Sequence, residues 1–199
     1  MAGSYGQVNK PFWDDRPVAV IGGGPSIIDF DLEQLRGAHV LAVKHAIFAA
    51  PWADAGFGMD LPRLVEWWGK LANASNRIYW GMPEDAAVPP PPSRNVVFLR
   101  RKHGRGVPDD PGVIYGGGTC DFAAFQICLH KRAREIVLFG FDYNGEPFQE
   151  WAEHFRIFVP YLTERGVSVI NACPHSSISC FQKTTQQDGV AALRIMQVA

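Results

Sequence analysis

The sequence predicts an α/β fold in which a mostly parallel sheet is covered by helices on both faces. Short apolar runs rich in β-branched residues occupy positions 18–21, 39–43, 135–141 and 167–170, a composition typical of buried strands. Stretches with helical patterning lie between some of these runs, and the first run leads into a glycine-rich turn. Strands that alternate with helices favour a parallel sheet with a helical layer on each side.

Three helices are predicted from the sequence pattern. Residues 119–132 are apolar around nearly the whole circumference, which indicates a buried helix. Residues 148–162 carry apolar side chains at intervals of three and four, and Pro160 is expected to kink this helix. Residues 61–72 form the third helix, with Pro62 in its first turn.

The length of 199 residues suits one hydrophobic core, so residues 1–199 are predicted to form a single domain. Residues 73–115 are predicted to be an insertion beside that core. They contain four successive prolines at 89–92, which favour an extended polyproline spacer, and then a basic run in residues 100–105.

Composition narrows the class of protein. The net charge of -1 disfavours a general nucleic-acid-binding protein, which needs a basic excess. No apolar run approaches the ~20 residues that span a bilayer, so a cytoplasmic protein without a membrane partner is predicted. The 4 cysteines form no CxxC pair, which favours buried thiols over a metal site. Nothing in the pattern specifies an oligomeric state.

The first strand runs into a glycine-rich turn formed by Gly22, Gly23, Gly24, Pro25 and Ser26. Glycine lets backbone amides approach an anion, so this turn is predicted to bind a nucleotide phosphate, although plain turn geometry also explains glycines there. A dinucleotide-binding turn would need a third glycine at Ile27 and an acidic residue where the second strand ends in Lys44. Lys44 suits a phosphate or carboxylate ligand, and equally a surface position.

A second glycine-rich turn precedes the buried helix and contains Gly117, Gly118 and Thr119. Free amides and the helix dipole favour negative charge at such a position, so these residues are also predicted to bind the nucleotide. Thr119 is in addition a suitable N-cap residue.

Other polar residues follow the later strands. Asp142 and Tyr143 end the third predicted strand, and ligands of open α/β sheets bind outside such carboxyl ends. His154 lies three residues after Trp151 and could exchange protons near neutral pH, although a surface histidine fits the same pattern. Polar groups that could surround a ligand follow the last predicted strand, and turn formation explains them equally well; they are Asn171, Pro174 and Ser176.

Four motifs, at residues 21–26, 117–119, 140–143 and 173–176, occur in an order that resembles one superfamily. This superfamily joins bacterial CMP-sialic-acid-dependent sialyltransferases to archaeal-type hydroxymethyl-dihydropterin pyrophosphokinases and to uncharacterised proteins, some of them from phages. The similarity covers residues 18–62 and 113–182. It implies a Rossmann-like sheet in which both glycine-rich turns hold the phosphate and sugar of a nucleotide.

The resemblance also implies roles for single residues. In the sialyltransferases the catalytic histidine lies between the Gly-x-Asp strand and the Cys-Pro motif, as His154 does here, which implies a general-base role. Lys44 and His45 stand near the position of an asparagine that touches the donor in those enzymes. Asp60, within the first matched stretch, completes the set of predicted nucleotide-binding residues.

The predicted function is a nucleotide-dependent transferase, glycosyltransferase-like, in which His154 or Asp142 deprotonates an acceptor hydroxyl. Its ligand is a small nucleotide or nucleotide-sugar donor, without a resident metal. One alternative is pyrophosphoryl transfer from ATP, which would depend on magnesium. Another is a protein that binds a nucleotide without turning it over. A nucleic-acid acceptor held by the basic residues 98–105 is a further, less favoured alternative.

Overall fold

The structure is a computed structural model that describes residues 5–8, 13, 15–86, 93–116 and 118–195. Its strands form one sheet of nine members in the order β6-β5-β4-β3-β2-β1-β7-β8-β9, and all neighbours are parallel. The strands are β1 Pro17–Ile21, β2 His39–Val43, β3 Ala55–Gly58, β4 Arg77–Pro83, β5 Val96–Lys102, β6 Val113–Tyr115, β7 Glu135–Phe139, β8 Ser168–Asn171 and β9 Gln182–Lys183.

Six α-helices and three 3-10 segments connect or follow the strands in this part of the chain. The α-helices are α1 Ala46–Ala49, α2 Leu61–Ala72, α3 Cys120–His130, α4 Phe148–Ala152, α5 Val159–Arg165 and α6 Gln186–Ile195. The 3-10 segments are Pro25–Ile27, Leu32–Leu35 and Glu153–Phe158. Among the described residues, no helix combines the length and the hydrophobicity that crossing a membrane requires.

Both faces of the sheet are buried under helices. Side chains alternate along β1, so that Val18 and Val20 pack in one core with α3 and α5, whereas Ala19 and Ile21 pack in the other with α1, α2 and α6. Because the central strands β1, β2 and β7 have apolar residues on both faces, they appear in the sequence as nearly continuous apolar runs. The predicted α/β, Rossmann-like class is confirmed.

The strand order reverses between β1 and β7. From β1 the chain adds β2 to β6 successively on one side, and α3 then returns across the other face to place β7 on the opposite side of β1. Ligands of open α/β sheets bind outside the carboxyl ends of the strands at such a switch point. A ligand site is therefore expected at the loops that follow β1 and β7.

The prediction that residues 73–115 form an insertion beside the core is wrong, because this segment supplies β4, β5 and β6 to the sheet. In β4, Tyr79 packs in one core while Ile78, Trp80 and Met82 pack in the other. The prolines at 89–92, predicted to form a polyproline spacer, lie outside the described residues.

The single helix predicted over 148–162 is not observed. The segment is divided into α4, the 3-10 segment Glu153–Phe158 and α5. Pro160 lies in the first turn of α5, where its missing amide removes no helical hydrogen bond. Proline therefore begins a new helix here and does not kink a continuous one. The helices predicted at 61–72 and 119–132 match α2 and α3, with Thr119 as the N-cap of α3.

Candidate functional site

The glycine-rich turn after β1 is bonded to the loop after β7. Gly22 N donates to Phe139 O and Gly24 N donates to Gly140 O, both at 2.8 Å. A Cβ on Gly24 would lie 2.1 Å from Asp142 Oδ2, and one on Gly22 would lie 2.8 Å from Gly140 O. Glycine is required at both positions because the two loops approach so closely.

Asp142 receives hydrogen bonds from the same turn. Its Oδ2 accepts hydrogen bonds from Ser26 Oγ at 2.8 Å and from Ser26 N at 3.3 Å. Asp142 is only 8% exposed. Ser26 Oγ also lies 3.2 Å from Cys173 Sγ, which accepts from Phe141 N. Asp142 thus connects the glycine-rich turn to the loop that follows β7.

These contacts differ from the prediction that the turn presents free amides to an anion. The amides of Gly22, Gly24 and Ser26 already donate to protein oxygens, and Pro25 has no amide hydrogen. Within the described residues, Gly23 is left with an amide that has no acceptor. An anion beside this turn would therefore depend chiefly on other groups for its hydrogen bonds.

Lys44 lies directly after β2 and faces the same region. Its backbone is left-handed, with φ of 55°, while its amide donates to Phe57 O, so the chain turns sharply as it leaves the sheet. Lys44 Nζ lies 3.8 Å from Asp60 Oδ2, at the start of α2, and both side chains are substantially exposed. An exposed pair of this length contributes little stability, so the ammonium group remains available to a ligand.

The first turn of α3 forms a hydrogen-bond network with the loop after β7. Thr119 Oγ1 accepts from Phe122 N at 3.1 Å, which caps the helix, and lies 2.6 Å from Tyr143 Oη. The Tyr143 hydroxyl donates in turn to Asp121 Oδ2 at 3.3 Å. The bonds are mutually compatible when the Thr119 hydroxyl donates to Tyr143.

Asp121 is a candidate residue that the sequence analysis did not identify. Burial raises the pKa of its carboxyl group to about 6, and the Tyr143 hydrogen bond and the charge of Lys44 oppose this shift only in part. Asp121 Oδ1 is shielded from solvent and has no hydrogen-bond partner among the described residues. The available signal was a single acidic residue within a helix whose neighbours are nearly all apolar.

Two adjoining cavities bring these groups together at the carboxyl edge of the sheet. The turn cavity, of about 440 Å³, is lined by Gly23, Gly24 and Pro25 and also by Lys44, Asp121, Tyr143 and Phe148. The helix cavity, of about 410 Å³, shares Lys44, Asp121, Tyr143 and Phe148. It is further lined by Met59, Asp60, Arg101, Gly118, Thr119, Cys120 and Trp151. We call the two together the groove.

Basic residues of β5 extend one end of the groove. Arg101 Nη1 donates to Met59 O at 2.8 Å, which holds the guanidinium group on the floor of the helix cavity. A neighbouring cavity of about 500 Å³ shares Arg101 and is also lined by Lys102 and His103. The basic run, predicted to lie in an insertion beside the core, therefore borders the candidate site.

His154 lies in a different cavity from the glycine-rich turn. It is exposed on the 3-10 segment Glu153–Phe158, and its cavity of about 510 Å³ includes Arg105, Phe122 and Glu153. Asp142 instead lines the turn cavity. The two residues predicted to share the role of proton acceptor are thus not brought to one place.

The remaining predicted residues lie around β8 and the second turn. Asn171 Nδ2 and Ser176 Oγ both donate to Phe141 O, at 3.3 and 2.6 Å, and both residues are buried. They support the loop that carries Asp142 and Tyr143, while Pro174 is exposed. Gly118 lines the helix cavity with φ of 96°, and Gly117 lies outside the described residues.

The thiols and the acidic groups do not assemble into a cation site in the described part of the chain. No group of three or more His, Cys, Asp and Glu side chains is placed there to hold a metal ion. Cys120, Cys128 and Cys173 are buried as free thiols, and burial raises the pKa of each. The Lys44 ammonium beside Asp60 and Asp121 further opposes a divalent cation between those carboxyl groups.

The fold and the groove define a Rossmann-like α/β protein with a polar site at the switch point of its sheet. No family model matches the chain, and no curated protein matches it. Among solved structures, the chain is similar to the sialyltransferase CstII from Campylobacter jejuni, in complex with a substrate analogue, CMP-3FNeuAc. The identity is 12%, the match covers 85% of each chain, and the TM-score is 0.49. Proteins that share this architecture perform many different functions.

Proposed function

We propose that this chain is a nucleotide-dependent transferase, glycosyltransferase-like, that binds a nucleotide-linked donor in the groove. The observation that carries the proposal is the convergence of Lys44, the first turn of α3 and Arg101 on one groove at the switch point. These two cationic side chains and the helix N-terminus favour a phosphate ligand beside them, while Asp60, Asp121 and Asp142 carry negative charge elsewhere along the groove. The phosphates of a nucleotide have that charge.

Aromatic residues that line the helix cavity favour a ligand with an organic group attached to those phosphates. Phe148 is 49% exposed although it is large and apolar, and its ring centroid lies 5.5 Å from that of Trp151. Tyr143 contacts Phe148 edge-on, with the centroids 6.4 Å apart. Aromatic faces of this kind pack well against a base or a sugar ring. We therefore expect Phe148 and Trp151 to contact the base or the sugar of the donor.

The leaving group of such a transfer would be a nucleotide phosphate. As the bond from the sugar to the phosphate breaks, the phosphate gains negative charge that a fixed cation stabilises. Lys44 is in the position to supply this charge, because it lines both cavities of the groove.

Thermal-shift titration with CMP, UDP, ADP, GDP and their sugar conjugates, with and without magnesium, tests the proposal. We expect one nucleotide class to raise the melting temperature of the wild type. Lys44→Ala should lower the affinity for that nucleotide at least about tenfold, because a charge-assisted hydrogen bond is lost. Lys70→Ala, which removes an exposed lysine of α2, is the matched control and should bind as the wild type does.

The result of the titration, together with an assay of turnover, separates the alternative functions. Release of free nucleotide from a bound nucleotide sugar would support the transferase. If ATP binds only with magnesium and its pyrophosphate is transferred, the function is pyrophosphoryl transfer and not glycosyl transfer. Binding without turnover of any donor would identify a nucleotide-binding protein, and no shift with any nucleotide would overturn the proposal.

A further inference from the structure

Asp121 lies where the two cavities of the groove meet. Its side chain lines both of them, together with Lys44 and Tyr143. The residue belongs to the first turn of α3, and the helical residues 122–129 that follow it are all buried. A carboxyl group is therefore held at a fixed position, next to the cation proposed to bind the phosphate.

The hydrogen bonds leave this carboxyl group able to accept a proton. Oδ2 receives the Tyr143 hydroxyl at 3.3 Å and retains a further lone pair that can accept a proton, whereas Oδ1 is shielded from solvent and has no partner among the described residues. The Asp142 carboxylate differs, because Ser26 donates to it twice. His154 lines another cavity, with Arg105 and Glu153.

The titratable groups that line the two cavities with Asp121 come from five parts of the fold. Lys44 and His45 follow β2, Asp60 precedes α2, Arg101 lies in β5, Cys120 precedes Asp121 in α3, and Asp142 and Tyr143 follow β7. Burial raises the pKa of Cys120 to about 12 and raises that of Tyr143 further above its ordinary value, so both stay protonated at neutral pH. Of the charged groups, Lys44 is the one that acts on the pKa of Asp121, and its ammonium group lowers that pKa.

The basicity of Asp121 suits proton transfer near neutral pH. Burial raises the pKa of its carboxyl group to about 6, so that the group is mostly ionised at pH 7 but binds a proton more readily than an exposed aspartate. A general base works best when its pKa lies close to the working pH.

We infer that Asp121 is the proton acceptor of the transfer reaction, an assignment that rests on the proposed function. The acceptor hydroxyl would give its proton to the Asp121 carboxylate while its oxygen bonds to the anomeric carbon of the donor. The bond from that carbon to the phosphate oxygen breaks, and its electron pair leaves with the nucleotide phosphate beside Lys44. The Tyr143 hydroxyl orients the carboxylate through its hydrogen bond to Oδ2.

Asp121→Asn tests the inference, because it keeps the shape of the side chain and removes its basicity. The probe is the nucleotide sugar that gives the largest thermal shift, and the readout is release of free nucleotide. We expect kcat to fall at least about 100-fold with donor affinity changed less than about threefold. The wild-type kcat should rise with pH through about 6, and this rise should be absent in the variant.

Two further variants separate the possible outcomes. Asp109→Asn removes an exposed carboxylate outside the groove and should leave turnover and its pH dependence unchanged. His154→Ala tests the rival proton acceptor. The inference is overturned if Asp121→Asn keeps more than about a third of the wild-type kcat, or if only His154→Ala abolishes turnover. If the wild type turns over no nucleotide sugar, the proposed function fails and this assignment fails with it.

Discussion

Asp142 Oδ2 accepts two hydrogen bonds from Ser26, one from the hydroxyl at 2.8 Å and one from the amide at 3.3 Å. The two residues are 116 positions apart in the sequence, and their contact joins the ends of β1 and β7. The two bonds therefore hold the loops after β1 and β7 together at the switch point. The Asp142 carboxylate thus helps to hold the glycine-rich turn in place.

Asp142→Ala is expected to lower the free energy of unfolding by about 2 to 3 kcal/mol, because the Ser26 amide and hydroxyl lose a charged acceptor in a partly buried position. Ser26→Ala removes the hydrogen bond from the hydroxyl and should lower the free energy of unfolding by about 1 kcal/mol. Urea unfolding of both variants and of the double mutant measures the coupling between the residues. Strictly additive effects would contradict a direct interaction.

Gly24→Ala is expected to be strongly destabilising although the backbone of Gly24 is extended, with φ of -72°. The new Cβ would lie 2.1 Å from Asp142 Oδ2 and 2.6 Å from Gly140 O, so the loops must separate. We expect a loss of about 3 kcal/mol, as for overpacking in a core.

Gly23→Ala is the matched control in the same turn. Nothing lies within 4 Å of a Cβ at Gly23, so its free energy of unfolding should stay within about 0.5 kcal/mol of the wild type. Equal effects of the two substitutions in urea unfolding would show that the close approach of the loops does not decide the need for glycine.

Thr119→Val is expected to destabilise α3 while it keeps the size of the side chain. The substitution removes the N-cap bond to Phe122 N and the bond to Tyr143 Oη. Loss of an N-cap alone costs about 1 kcal/mol, and loss of the second bond should add to it. Thr119→Ser retains the hydroxyl and should unfold at nearly the wild-type urea concentration. If Thr119→Val and Thr119→Ser unfold at the same urea concentration, the hydroxyl does not stabilise the helix.

The elements predicted well from the sequence are those with a strong local pattern. β2 matches its apolar run, α2 matches its predicted span, and α3 begins after the Thr119 N-cap. β4 and β5 were missed although most of β4 and the first part of β5 lie in the core. Four prolines stand between them, and β5 ends in basic residues because its carboxyl end leaves the core for the groove.

The site was predicted less completely because its residues meet only through the tertiary structure. Lys44, Thr119 and Tyr143 were identified, since each follows a strand or begins a helix, and all three line the helix cavity. Asp121 was missed because an acidic residue in the first turn of a helix is common for local reasons. Its burial and its contact with Tyr143 depend on the return of α3 across the sheet.

The buried carboxyl group of Asp121 should make stability depend on pH in a recognisable direction. Its pKa rises from the ordinary value of 3.8 to about 6 on folding, so the folded state binds a proton more tightly than the unfolded state. The stabilisation is therefore complete below pH 3.8 and is lost as the pH rises through about 6. Exposed acidic residues such as Glu33 and Asp188, whose pKa is lowered by hydrogen bonds, act in the opposite direction.

Comparison of the wild type with Asp121→Asn isolates this contribution, because the other groups are common to both proteins. Asparagine stays neutral at every pH, as the protonated aspartic acid does. The variant should be more stable than the wild type at pH 8, on the order of 2 kcal/mol, and nearly equal to it at pH 4. Urea unfolding at half-unit pH intervals gives the difference directly. A difference that does not change between pH 4 and 8 would mean that Asp121 is not held in a desolvated position.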